Sequence, residues 1–315
     1  MNKPNDDELL ALIADMSESE IEQFINSLDE DERAVISRIL ANAPVWFPLE
    51  GPQMAAYTSD ADIIGYGGAA GGGKTDLIAG LSLNVHKRVL IVRREKAQTD
   101  GIVQRIEEIV GHKNGYNTQK SAWRFDNGRL LEFGGLDNMG DEKRWQGRAH
   151  DLKALDEATE IRESQAMFVM GWNRTSDPTI KPKCLLTFNP PTTAEGRWVL
   201  DFFAPWIKKG HPNPAQPGEL RWFARISGKD QEVESNKPFV LIDDHIVYDF
   251  DPNDYKPELI IKPKSRTFIP ARVTDNKYYM ETGYMSTLQA LPEPLRSQML
   301  YGDFGAGIED DPWQV

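Results

Sequence analysis

The spacing of apolar positions changes along the chain, and the predicted elements change with it. From 6 to 41 apolar residues fall at helical spacing. Leu9, Leu10, Leu12 and Ile13 make one stripe. Ile21, Phe24, Ile25 and Leu28 make a second, entered through Ser17-Glu-Ser-Glu20, which has the form of a capping box. Val35, Ile36, Ile39 and Leu40 make a third. Two or three short amphipathic helices are predicted here. Pro44 to Pro52 interrupts the pattern and marks a boundary. Beyond it, short, mostly apolar runs alternate with helical stretches. The runs at 62–65, Arg88–Arg93, 152–155 and Lys183–Phe188 read as buried strands. Residues 74–83 and 98–110 read as helices. An Asn127-Gly128 turn between 123–126 and 129–133 predicts a hairpin. Residues 210–220, rich in Pro and Gly, read as a loop. Strands are expected at 221–226, 239–242 and 267–270, then helices at 284–288 and 294–300. Alternating strands and helices predict a mostly parallel α/β sheet with helices on both faces.

Composition fits that reading. A chain of 315 residues with 40% hydrophobic and 27% charged residues is an ordinary globular one and can bury a large core. No signal-peptide pattern or long apolar run points to export or to a membrane. The single cysteine, Cys184, excludes an internal disulfide and lies in an apolar run where it packs. The five histidines have no zinc-like spacing.

The net charge of −13 argues against non-specific coating of nucleic acid. That charge is concentrated at the ends. Residues 1–40 carry eleven acidic against three basic residues, so the first helices are either a partner-binding appendage or a solvated cover. The body is nearly neutral, with basic clusters at Lys87-Arg88, Arg93-Arg94, Lys143-Arg144 and Lys262/Lys264/Arg266. Each reads either as part of a nucleic-acid path or as a solvated face.

The chemistry centres on Gly65-Tyr-Gly-Gly-Ala-Ala-Gly-Gly-Gly-Lys-Thr75. From Gly68 to Thr75 it has the form G-x-x-x-x-G-K-[ST], a phosphate-binding loop. Gly68, Ala69, Ala70, Gly71, Gly72 and Gly73 let the backbone curl so that its N–H groups face phosphate oxygens. Lys74 brings a point charge to the β- and γ-phosphates, and Thr75 a hydroxyl to Mg²⁺. A strand before and a helix after complete an anion site for ATP.

Further residues fit that chemistry. The apolar run at 152–155 ends in Asp156-Glu157. Asp156 is placed to hold Mg²⁺ through water, and Glu157 to orient and polarise the attacking water. Thr187 and Asn189 stand where a strand end can sense the γ-phosphate; the alternative for Asn189 is a turn residue before proline. Gln53 lies shortly before the first core strand, where motor ATPases carry a glutamine that reads the adenine edge. The alternative is an ordinary polar residue at a helix N-terminus. Asp243, Asp244, Asp249, Asp251 and Asp254 form either a metal site or an acidic surface loop.

Taken together, the loop with Gly51-Pro-Gln53, Gln146-Gly-Arg-Ala149, Asp156-Glu-Ala-Thr159, Phe188-Asn-Pro190, Asp275-Asn276 and Leu300-Tyr-Gly-Asp-Phe304 resembles the ATPase half of the large terminases of tailed bacteriophages. The resemblance covers about 44–310 and not the first 40 residues. It implies an ATP-hydrolysing motor that drives double-stranded DNA into a procapsid in the host cytoplasm. It also implies assembly as a ring on the portal protein, together with a small terminase subunit. Family members carry a nuclease domain after the ATPase; this sequence reaches Val315 about where that domain starts, so no DNA cleavage is expected of it. The implied divisions are a helical appendage at 1–43, a phosphate-loop core of RecA-like type at 44–269, and a lid with the start of a linker at 270–315. The alternative is another RecA-like DNA motor, such as a helicase or a repair ATPase.

One charge is missing from the loop, which has no arginine at 69–72. Phosphoryl transfer commonly uses an arginine finger. The resemblance points to Arg148, with Arg144 second, facing the nucleotide of a neighbouring subunit. The alternative for both is DNA binding or a surface ion pair.

Overall fold

The computed structural model describes residues 16–41, 43–276 and 280–305. The chain divides into two compact units, Met1–Phe47 and Pro48–Val315. In the first, α1 (Glu18–Ser27) and α2 (Glu30–Ala41) are short acidic helices. α2 is opened by a reciprocal cap, and α1 by one half of such a cap. Ser17 N–H donates to the Glu20 carboxylate at 2.8 Å. Glu32 N–H donates to Asp29, and Asp29 N–H to Glu32, at 2.8 and 3.2 Å. The stripe at Leu9–Ile13 lies outside the described residues.

The second unit is built on one ten-stranded sheet. Its elements run α3 (Pro52–Thr58), β1 (Ile63–Gly68), α4 (Lys74–Gly80), β2 (Arg88–Arg93), α5 (Asp100–Val110), β3 (Tyr116–Asn117), β4 (Ala122–Arg124) and β5 (Leu130–Gly135). Then follow β6 (Leu152–Asp156), α6 (Glu163–Gly171), β7 (Lys183–Phe188), α7 (Trp198–Phe202), α8 (Ala204–Ile207), β8 (Arg221–Ile226) and β9 (Lys229–Val233). A separate ribbon pairs β10 (Val240–Ile242) with β11 (His245–Val247). The chain re-enters the sheet as β12 (Lys264–Ala271) and ends in α9 (Tyr284–Gln289) and α10 (Leu295–Tyr301).

The strand order is β3-β4-β5-β2-β6-β7-β1-β12-β8-β9. From β5 to β12 every neighbour is parallel, and the antiparallel strands are confined to the two edges. This is a phosphate-loop α/β fold in which β7 stands between the loop strand β1 and the strand β6 that ends in Asp156. The continuous apolar runs are explained by burial on both faces. Val89 and Ile91 of β2 pack with Leu77, Ile78, Ile102 and Ile106 of α4 and α5. Leu90 and Val92 pack on the other face with Ala166 and Val169 of α6 and Val199 and Phe202 of α7. Each such fully buried side chain contributes about 1.5–3 kcal/mol relative to exposure.

The Asn127-Gly128 turn joins β4 to β5 as a three-residue loop: Phe125 N–H donates to the Arg129 carbonyl and Gly128 N–H to that of Phe125, both at 3.0 Å, with Gly128 at φ 86°. Arg266 departs from both readings of the cluster Lys262/Lys264/Arg266. It is buried, its guanidinium stacked 3.4 Å from the Phe202 ring and 3.9 Å from that of Phe223, and it pairs with Asp230 at 2.8 Å. It belongs neither to a nucleic-acid path nor to a solvated face. Val273, Leu288 and Leu300 form a small core of their own, against which Ala70 of the loop packs.

Candidate nucleotide site

The carboxyl ends of β1, β2, β6 and β7 converge, and the loop from Gly68 to Lys74 crosses above them. Gly71 and Gly73 sit at φ 77° and 76°, which a residue with a Cβ adopts only under strain. Gly67 passes so close to β7 that a Cβ would lie 1.8 Å from the Phe188 carbonyl oxygen.

Three side chains hold the loop by its carbonyls. Asn276 Nδ2 donates to Gly71 at 3.2 Å, the Tyr66 hydroxyl to Gly72 at 2.6 Å, and Gln53 Nε2 to Gly73 at 3.0 Å. In a trans peptide the N–H points away from the preceding carbonyl. Tyr66 and Gln53 lie off the cleft, so anchoring the Gly72 and Gly73 carbonyls there turns the N–H groups of Gly73 and Lys74 the other way; Asn276, on the Gly71 carbonyl, itself lines the cleft. Residues from Ala70 to Asp76 line a cleft of about 670 Å³, closed further by Gly101, Arg105, Glu157, Asn189 and Tyr284.

Gln53, read on sequence as reaching an adenine edge, braces the loop here. Its other amide atom, Oε1, accepts from Leu49 N–H at 2.7 Å, and the residue is buried off the cleft. Gly68 and Ala69 also lie behind the cleft. The Ala69 N–H donates to the Ala271 carbonyl at 3.0 Å, and that of Ala70 to Met299 at 2.9 Å.

Lys74 Nζ donates to Asn189 Oδ1 at 2.7 Å and to the Ala69 carbonyl at 3.0 Å. Burial depresses its pKa, and the charges of Glu157 and Asp156 oppose that shift. Asp156 is buried at the end of β6. Its Oδ1 accepts from the Thr187 hydroxyl at 2.6 Å, which is what Thr187 does here. Glu157 follows at φ 51° and ψ 53°, a left-handed conformation uncommon for a side chain of its size. Such strain is characteristic of residues whose position matters more than their comfort. That bend turns Glu157 onto the cleft wall. Burial first, and then the Asp156 charge, raise its pKa above the usual glutamate value. Thr159 Oγ1 donates to the Asn189 carbonyl at 3.3 Å, tying the segment after β6 to the end of β7.

The donors present suit Mg²⁺. This ion takes hard oxygen ligands, commonly one or two from protein, and completes its shell with phosphates and water. The Thr75 hydroxyl on the cleft and the Asp156 carboxylate are hard oxygen donors of that kind. The aspartates at 243–254 do not converge: Asp244 accepts from Ser227 and Asp251 from Asn253 N–H. Among the described residues no three His, Cys, Asp or Glu side chains come together as a metal cluster.

Arg148 is not brought to this cleft. It precedes β6, whose far end carries Asp156. Its side chain is half exposed, pairs with Glu132 at 2.5 Å and lies 5.5 Å from the Trp145 ring. Arg144 is exposed on the short turn Asp141–Trp145. Two arginines that sequence reading passed over are at the site. Arg93, at the end of β2, reaches both carboxylates: its Nε lies 2.6 Å from Asp156 and its Nη2 3.5 Å from Glu157. Arg105 lines the cleft mouth and grips Asp76 with two hydrogen bonds at 2.7 and 3.0 Å. The signal for Arg93 was available: a charge closing an apolar parallel strand stands at the edge where ligands bind.

No protein-family model matches this sequence. No curated protein matches it. Among solved structures it is similar to the large terminase of the thermophilic bacteriophage D6E in complex with ADP, with 12% identity, 82% of this chain and 54% of that one covered, and a TM-score of 0.48. It is also similar to the large terminase ATPase domain of Thermus phage P74-26, with 16% identity, coverage of 81% and 93%, and a TM-score of 0.43. A third is the large terminase of bacteriophage HK97, with 15% identity, coverage of 46% and 34%, and a TM-score of 0.31. The chain spans about half the length of the D6E protein it matches. No described helix is long and apolar enough to cross a membrane.

Proposed function

We propose that this chain hydrolyses ATP, and that turnover drives double-stranded DNA into a procapsid in the host cytoplasm, as in a large terminase motor. One observation supports the hydrolysis above all. Lys74, Glu157 and Asn189, from three separate stretches, line one cleft whose floor is the N–H-bearing loop. The packaging role rests on the sequence resemblance set out above.

In this reading the loop N–H groups bind the β-phosphate, and Lys74 leaves Asn189 for the β- and γ-oxygens. Thr75, and Asp156 through water, would hold Mg²⁺, which would supply positive charge beside the phosphates. Glu157 aligns a water with the γ-phosphorus and polarises it. The new P–O bond forms as the bond to the β–γ bridging oxygen breaks, giving ADP and phosphate. Asn189, released from Lys74, is then the group that distinguishes ATP from ADP. Arg148 serves a neighbouring subunit in a ring, which docks on the portal and works with the small terminase subunit.

The test is ATP turnover by the purified chain, alone and with duplex DNA and procapsids. Turnover that rises with DNA and procapsids and disappears in Lys74→Ala is expected. A chain that neither binds nor hydrolyses ATP under any of these conditions overturns the reading.

A further inference from the structure

We propose that Arg93 is a positioning residue that holds the Asp156–Glu157 pair in the nucleotide-free chain and must yield its place on Asp156 when Mg²⁺ arrives. The inference rests on the hydrolytic reading above. It starts from register. Val92 of β2 lies beside Leu155 of β6, so the next residues, Arg93 and Asp156, end adjacent parallel strands side by side. The guanidinium is planar, with its donors in a fixed fork, and spans two carboxylates as a lysine cannot. Here one tine meets Asp156 Oδ2 at 2.6 Å and another approaches Glu157 Oε1 at 3.5 Å.

Asp156 is 2% exposed, and Thr187 already holds its other oxygen. Both of its oxygens thus have protein partners, and the one facing Arg93 carries a charge-assisted bond, the strong kind. A metal-bound water that uses Asp156 competes with that bond. The local charges make the same point. Lys74 and Arg93 stand against Asp156 and Glu157, two cations with two anions. Lys74 has Asn189 as its partner and phosphate as its destination. Arg93 alone has the metal's own ligand as its partner. It is about one-fifth exposed, and its remaining contact, Nη1 donating to the Gln98 carbonyl at 3.5 Å, is a long one. Glu157 is loosely held by the same fork, so withdrawal of Arg93 frees the carboxylate for water as the metal settles.

The experiment is a Mg²⁺ titration of the binding of a non-hydrolysable ATP analogue to the full chain, by calorimetry. Wild type, Arg93→Ala and Arg93→Lys are compared, with thermal unfolding as the check on folding. Without Mg²⁺, Arg93→Ala binds the analogue more weakly, because two uncompensated carboxylates face the phosphates. With Mg²⁺, its half-saturating metal concentration falls about ten-fold, the worth of one charge-assisted bond removed from competition. Arg93→Lys keeps the charge but not the fork, and its midpoint falls a few-fold. A merely structural role lowers affinity with and without metal alike and leaves the metal midpoint where it was. A midpoint equal to or above wild type in Arg93→Ala overturns the inference. If that variant does not fold, an unchanged midpoint in Arg93→Lys does so. Failure of the wild type to bind the analogue at all overturns the hydrolytic reading instead.

Discussion

Lys74 and Asn189 meet across the cleft at 2.7 Å, although 115 residues separate them in sequence. In the proposed reaction Lys74 exchanges this contact for the γ-phosphate. The contact therefore links the start of α4, which opens at the loop's lysine, to the end of β7, the strand between β1 and β6.

Removing the amide should separate binding from turnover. Asn189→Ala leaves Lys74 with the Ala69 carbonyl alone, so ATP affinity should change less than about three-fold while kcat falls about ten-fold or more. Lys74→Ala should weaken ATP binding itself. Equilibrium binding and steady-state turnover, measured side by side, check both; equal loss of affinity in the two variants would refute the division of roles.

Glu157→Gln should keep ATP affinity and lose at least about 100-fold in kcat, since an amide does not polarise water as a carboxylate does. Single-turnover measurement with bound ATP reads the chemical step directly. Hydrolysis at the wild-type rate would remove Glu157 from the mechanism.

Arg148 is held away from its own cleft by Glu132. If it acts on a neighbour's nucleotide, isolated monomers should bind ATP and hydrolyse it poorly, with specific activity rising with protein concentration. Mixing Arg148→Ala with Lys74→Ala chains should restore part of the activity, because some interfaces join an intact loop to an intact arginine. Full activity in dilute Arg148→Ala would exclude the role.

Lys153 is a buried lysine in the middle of β6, satisfied by the Val169 carbonyl at 2.9 Å. Burial lowers its pKa from 10.5 to about 8. The unfolded chain therefore holds this proton to higher pH than the folded one, and raising pH from about 8 to 10.5 should stabilise the fold. Lys153→Met should stabilise the protein at neutral pH by about 1–2 kcal/mol and abolish that part of the pH dependence. Chemical denaturation at pH 7 and pH 9.5 tests both statements.

Much of this was legible in the sequence because period and turn chemistry are local. The apolar runs at Arg88–Arg93 and Lys183–Phe188, and the Asn127-Gly128 turn, each announce themselves within a few residues. What was not legible depends on partners distant in sequence. Arg93 and Arg266 look alike in a charge count. One is held by Asp156 and the other between two phenylalanine rings, and neither neighbourhood is visible from the strand that carries it. Gln53 sits where a nucleotide-reading glutamine is expected, but Gly73 and Leu49 claim both ends of its amide. Lys153 appears on sequence as a polar break in an apolar run, and only the end of α6 explains it.

The position of β12 bears on how the protein comes to be folded. The strand that leads into the loop, β1, lies between β7 and β12, both later in the chain. Asp62 N–H donates to the Ser265 hydroxyl at 2.8 Å across 203 residues. Chains grow on the ribosome at about 5–20 residues per second, so roughly ten to forty seconds separate the two ends of that contact. Throughout that interval β1 is apolar and lacks at least one neighbour, an aggregation-prone condition for a strand. The loop's anchors come in two sets: Gln53 and Tyr66 are made before it, whereas Ala271, Asn276 and Met299 reach Ala69, Gly71 and Ala70 only when the last part of the chain is in place. The phosphate loop is therefore completed by the same late residues that complete the sheet beside β1.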